Sequence, residues 1–301
     1  MNDFSGAFHI TALIRGACVI MTPLLFAATG GLYTELCGML NIALEGMLLT
    51  GAFAALAAVS FTGSFAIGIA AAVFASMALA LLTAFSTLKL RSNVFISGLA
   101  ANMLASGLTV VLSHKMFDTR GVVALRDIAA LPVIDMPFIS DIPVIGGFFS
   151  GHSLYVYASW ILLIVSWVVI YKTPFGYRLR ACGKNSVALE SLGIASADYR
   201  YAAFLVSGFF CGIGGSFLSL NLGAFVPNMP AGKGWIALVI IFLGGRKPAG
   251  IFIAALIFGL AESFSNYAQG LWNIPADFIL ALPFLFTLLA MIGASIFSKR
   301  T

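Results

Sequence analysis

Residues 172–200, KTPFGYRLRACGKNSVALESLGIASADYR, form a polar stretch between two strongly apolar ones, 154–171 and 201–222. Lys172, Arg178, Arg180, Lys184 and Arg200 crowd into it. A charge at the centre of a bilayer costs about 3 kcal/mol even on the most lenient scales, so this stretch lies outside the hydrocarbon and its flanks lie within. Inside it, Asn185 to Leu192 reads as a short amphipathic helix stopped by Gly193. A membrane protein driven by a soluble partner needs a handle of this kind.

The rest of the chain reads the same way. Of 301 residues, 61% are hydrophobic and only 9% charged, which excludes an ordinary soluble domain. A hydrocarbon core of about 30 Å takes about 20 helical residues to cross, and about nine apolar runs reach or approach that length. They cover 10–29, 36–58, 65–88, 94–112, 154–171, 201–222, 232–245, 249–268 and 276–296. The expectation is an all-α polytopic membrane protein, a single transmembrane domain over 1–301. The first run lacks a basic leader and a small-residue cleavage pattern, so it is expected to be retained.

Charge sets the orientation. Lys89 and Arg91, the 172–200 loop, Arg246 with Lys247, and the Lys299–Arg300 tail fall on one side, expected to be the cytoplasm. The 113–153 loop sets Lys115, Arg120 and Arg126 against four aspartates, so it is expected outside. This bias accounts for the net charge of +5 without nucleic acid as a partner. Nine spans with an inside C-terminus place the N-terminus outside, provided that the short 232–245 run crosses.

Polar residues within spans are costly and mark candidate sites. Asn41 and Glu45 stand four apart, as do Glu262 and Asn266, so each pair is expected to share a helix face and the two stripes to line one passage. Each has a structural alternative: Asn41 capping or bonding a neighbouring helix, Glu45 pairing with Arg15 in the first span, and Glu262 and Asn266 meeting water near the outer end of their span. Arg15, Glu45 and Glu262 are counted as the charges within spans, a sparse set that suits a neutral solute. The ridge Gly208, Gly212, Ser216 serves either packing within the chain or contact with a second copy.

Catalysis finds no support. His9, His114 and His152 are far apart, the aspartates fall in loops or at span ends, and Cys18, Cys37, Cys182 and Cys211 make no metal pattern. The string AGKGW at 231–235 lacks the preceding glycine and the hydroxyl of a phosphate-binding loop, so ATP hydrolysis is not expected of this chain.

Four blocks in order, GGLYTELCGMLNIALEGMLLTGAFAA at 30–55, GKNSVALESLGI at 183–194, SGFFCGIGGSFLS at 207–219 and GWIALVIIFLGGRKPAGIFIAALIFGLAES at 234–263, resemble the permease subunits of bacterial ABC importers. The resemblance spans about 22 to 290 and is strongest to the nucleoside branch of the branched-chain amino acid, ribose and nucleoside permease superfamily, with a type II-like permease fold. It implies that 172–200 carries a coupling helix for an ATPase subunit, with Gly183, Asn185, Glu190, Gly193 and Ile194 as coupling residues. Ser186 stands where a proline is usual, which implies a looser helix start. Asn41 and Glu45 correspond to the asparagine and glutamate of the family's NIGLEG-like block, with Gly38 and Gly46 as its helix-breaking glycines and Ala43 in place of a glycine.

The implied machine pairs a second permease, the same or a related chain, with cytoplasmic ATP-binding subunits and an extracytoplasmic substrate-binding protein in the bacterial cytoplasmic (inner) membrane. ATP would be bound by the partner, and this chain would carry no cofactor. Simple sugars and branched-chain amino acids remain alternative cargoes. An ion-coupled carrier would instead show inverted repeats, and none is evident. A membrane scaffold would tolerate change at Glu190 and Gly193.

Overall fold

A computed structural model describes residues 2–125, 131–135 and 145–271, with side chains from residue 10 to residue 268. Apolar composition makes helices the only economical way to hide backbone polar groups in lipid, and helices dominate. They are α1 (Asn2–Leu36), α2 (Leu44–Thr62), α3 (Phe65–Leu88), α4 (Val94–Phe117), α5 (Ile145–Phe149), α6 (Leu154–Lys172), α7 (Pro174–Lys184), α8 (Ser186–Ser191), α9 (Ser196–Leu222), α10 (Lys233–Leu243) and α11 (Pro248–Leu271). Among the described residues seven helices are long and apolar enough to cross a membrane, and the protein is multi-pass. The expected span 276–296 lies outside the described residues.

The second expected span, 36–58, is corrected. The chain leaves α1 at Leu36, turns through Gly38 at φ +79°, and resumes as a helix only at Leu44. Asn41 explains the delay: its Oδ1 accepts the Ala43 N–H at 3.0 Å, an Asx-type bond that competes with helix. Asn41 and Glu45 therefore do not share a helix face. Gly46 does not break the helix either. It lies inside α2, where a Cβ would stand 2.9 Å from Asn102 Oδ1, and its bareness lets α4 close in.

The 232–245 run is also redrawn. α10 has 11 residues, about 16 Å, too short to cross alone. The crossing is completed by non-helical chain. β4 (Ala224–Phe225) pairs antiparallel with β1 (Val123–Ala124), just past the end of α4. From there the chain turns inward to α10, which ends where Arg246 Nη2 meets Glu35 Oε1 at 2.9 Å, next to the end of α1. The segment thus runs from one end of the bundle to the other.

α2 and α9 are the most buried spans, and α9 packs against α1, α2 and α3. A Cβ on Gly208 would lie 2.8 Å from Met77 Cα, and one on Gly212 would lie 2.6 Å from Val73 Cα, so the glycine ridge serves packing against α3 within this chain. Ile42 sits on Gly98 near the start of α4 while Phe61 stacks on Phe117 at its end, so α2 and α4 run in the same direction.

The end bearing α7 and α8 holds the basic residues of 172–200 and is here called the basic end. The opposite end is capped by α5, by β1 with β4, and by β2 (Val133–Ile134) paired with β3 (His152–Ser153). His152 is buried there, its Nε2 3.1 Å from the Gly147 carbonyl. Burial pushes its pKa down, and the nearby Arg15 guanidinium acts in the same sense, while contacts with Gly147 and Phe148 oppose them.

Candidate functional site

The break between α1 and α2 sets up the site. α2 begins with backbone N–H groups that have no partner in its own helix. Asn102, about 12 Å along α4 from its start, supplies one: its Oδ1 accepts from Gly46 N at 2.8 Å while its Nδ2 donates to the Ile42 carbonyl at 3.0 Å. Asn41 Nδ2 donates to Ser207 Oγ on α9 at 2.8 Å. Both asparagines are spent on the turn, and Asn41 is buried.

Glu45, in the first turn of α2, points away from that framework to the start of α10. Its Oε1 accepts from Gly232 N at 2.7 Å and its Oε2 from Gly234 N at 2.6 Å. Gly232 occupies the N-cap of α10 at φ +89° and has no side chain to cap with, so α2 provides the cap instead. A carboxylate is well placed there, because a helix N-terminus carries unpaired N–H groups and a partial positive charge. The approach requires glycine: a Cβ on Gly234 would lie 2.4 Å from Glu45 N.

Between the two glycines, Lys233 donates from Nζ to Glu262 Oε1 on α11 at 3.1 Å. Both side chains are largely enclosed, 17% and 24% exposed, so the pair is screened less than a surface one. Trp235, one residue after Gly234, is partly exposed beside it. The result is a polar knot of Glu45, Lys233 and Glu262 where α2, α10 and α11 meet inside the spanning bundle.

The expected pairing of Glu45 with Arg15 does not occur. Arg15 lies against Gly151 at the capped end, where a Cβ on that glycine would stand 2.7 Å from Arg15 Nη2. Asn266, one turn beyond Glu262 on α11, is exposed. Lys233 is the residue that sequence reasoning passed over. It stands in AGKGW, which fails as a phosphate loop, yet a lysine within an apolar run is itself the signal of an intramembrane partner.

At the basic end, Gly183 closes α7 against the α1–α2 turn. Asn185 caps α8 by accepting Ala188 N at 3.0 Å, so the helix start is fixed without proline at Ser186. Glu190 Oε1 accepts the Ser196 hydroxyl, tying α8 to the start of α9. Gly193 turns at φ +78° with open space around it, and Ile194 N returns to the Leu189 carbonyl at 3.3 Å. Leu189 is buried, while Val187 and Leu192 are 74% and 76% exposed, an apolar knob aimed at solvent.

The branched-chain amino acid transport system/permease component family matches residues 13–297. The chain belongs to that permease family. This permease is 31% identical over 290 residues to the nucleoside ABC transporter permease protein NupC of Lactococcus lactis, covering 93% of this chain and 90% of that one. It is 31% identical over 297 residues to the guanosine ABC transporter permease protein NupQ of Bacillus subtilis, covering 94% and 92%. To the putative glucose ABC transporter permease protein TsgC13 of Haloferax volcanii it is 30% identical over 264 residues, covering 86% and 78%.

Proposed function

We propose that this permease forms the membrane path of an ATP-driven nucleoside importer. The observation that carries the reading is the likeness, over more than nine-tenths of the chain, to two permeases named for nucleosides. The charge balance of the polar knot supports it. Glu45 is offset by two backbone amides and Lys233 by Glu262, which leaves no large fixed field against a neutral solute.

In this reading Glu45, Glu262 and Asn266 border the path together with Lys233, and Asn41 holds the turn that aims Glu45. Two permeases, the same or related, enclose the path between them. A substrate-binding protein delivers cargo from outside, and ATP is bound and hydrolysed by cytoplasmic subunits, so this chain carries no cofactor or ATPase site of its own. The basic end faces the cytoplasm of a bacterial cell, the C-terminus lies on that side, and Asn185, Glu190, Gly193 and Ile194 shape the element that the ATPase grips, while Gly183 couples it from behind, against the α1–α2 turn and away from the gripped surface. Val187 and Leu192 supply its apolar contact area. The relative named for glucose transport favours a simple sugar as the second reading.

Uptake of labelled nucleosides, ribose and branched-chain amino acids, in cells carrying this chain with its partner subunits, tests the proposal. Nucleoside uptake that stops on ATP depletion is the expected result. Ribose uptake alone would move the cargo to sugars, and uptake sustained by an ion gradient without ATP would overturn the importer reading.

A further inference from the structure

We infer that the contact between Gly183 and the α1–α2 turn is the joint through which movement of α8 reaches the polar knot at Glu45. The inference rests on the function proposed above. Its basis is a contact of backbone on backbone. A Cβ on Gly183 would stand 2.2 Å from the Leu36 carbonyl oxygen, 2.9 Å from Gly38 N and 3.0 Å from Cys37 C. From the other side, a Cβ on Gly38 would stand 3.2 Å from Gly183 Cα. No side chain lies between to absorb a displacement by changing rotamer, and close-packed matter transmits strain.

The contact is continuous in both directions. Towards solvent, α7 and α8 are separated by Asn185 alone, which caps α8, so a force on exposed Val187 and Leu192 passes directly into α7. Cys182 adds a second hold, its Sγ reaching the Ser196 carbonyl at 3.6 Å and the Cys37 carbonyl at 3.9 Å. Towards the membrane interior, the turn between Gly38 and Glu45 is pinned by Asn41 and Asn102, and Glu45 is bonded to the N-terminus of α10. The chain just past the other end of α10 is tied to the last turn of α1 through the Glu35–Arg246 ion pair. The half-helix is therefore held at both ends by residues that flank the Gly38 turn. A shift of Gly183 against that turn moves both holds together, and α10 with them.

Gly193 offers a contrast within the same loop. It has open space around it, so enlarging it acts on whatever docks outside, whereas enlarging Gly183 acts on the joint. The decisive variant is Gly183→Ala in the full chain, expressed with its ATP-binding and substrate-binding partners. The expected result is an inserted permease that still retains the ATP-binding subunit and supports ATP hydrolysis, while uptake falls by about tenfold, the scale at which changes along a coupling route act. Normal uptake by the inserted variant would overturn the joint. A wild-type chain that retains no ATP-binding subunit would overturn the proposed function and this inference with it.

Should Gly183→Ala fail to insert, the native thiols decide. Cys37 and Cys182 meet across the joint, with Cys182 Sγ 3.9 Å from the Cys37 carbonyl oxygen. In a Cys18→Ala, Cys211→Ala background, oxidation with copper phenanthroline is expected to link them, to stop uptake with the ATP-binding subunit still bound, and to be reversed by a reductant. A link that forms without effect on uptake would overturn the inference. Failure to link at all would overturn the packing on which it stands.

Discussion

Glu45 carries two obligations that one oxygen pair meets at once: it neutralises the start of α10 and it fixes α2 against that start. Glu45→Gln separates them. The amide keeps one oxygen for a backbone N–H but turns an NH2 towards the other, so one of the two charge-assisted bonds is lost and its donor left facing a donor. The cost is about 1–3 kcal/mol, by the usual worth of such bonds. We expect the variant to insert, to unfold in detergent at a moderately lower temperature, and to lose uptake out of proportion to that shift. A variant with normal uptake and lowered stability would make the carboxylate a cap and nothing more. The carboxylate itself was legible in the sequence, since a glutamate in an apolar run demands a partner. Its partner was not, because nearly every residue carries a backbone N–H and the glycines that permit the approach, Gly232 and Gly234, are two among 31. The rule that picks out Glu45 picks out Lys233 as well, since AGKGW sets a charge at the start of an apolar run.

At the scale of elements, hydrophobic run length located α3, α4, α6, α9 and α11 closely, because each buries continuous apolar surface over its whole length. It misplaced the start of α2 and overstated α10. Both faults have the same origin: the chain breaks its helices inside the membrane, where side chains and helix ends from elsewhere pair the freed backbone groups. Run length cannot register such pairing, since Asn102, Glu45 and Glu35 lie far away in sequence. The helix α8 was legible because its signals are local, with Asn185 to start it and Gly193 to stop it. That turn also carries a prediction. Gly193 stands at φ +78° with nothing within van der Waals reach, so Gly193→Trp adds left-handed strain at one residue and a bulky ring on the exposed side. Uptake should be abolished, with co-purification of the ATP-binding subunit lost and membrane insertion retained. A variant that keeps both uptake and its partner would remove α8 from the docking surface.

Among the described residues charge is polarised between the two ends of the bundle, and this polarity predicts which way the molecule sits in the membrane. Lys89, Arg91, the cations of 172–200, Arg246 and Lys247 gather at one end, while at the other Lys115 and Arg120 are set against Asp118 and Asp135. Positive residues near span ends stay on the cytoplasmic side during insertion, so the basic end should face inward. Eight passages are traced among the described residues, the eighth part being played by the turns of 226–232 and α10 together, and α1 runs from the capped end to the basic end. The four native cysteines are buried, so single cysteines introduced at the exposed positions Lys184 and Arg120 report sidedness with little background. A membrane-impermeant maleimide on intact cells should label Arg120→Cys and leave Lys184→Cys untouched, and inverted vesicles should give the reverse. Because ATP is present only inside, this outcome is required for α8 to meet an ATPase at all. Labelling of Lys184→Cys from outside would put Val187 and Leu192 beyond the reach of any nucleotide-driven partner and would reassign them to the delivery of substrate.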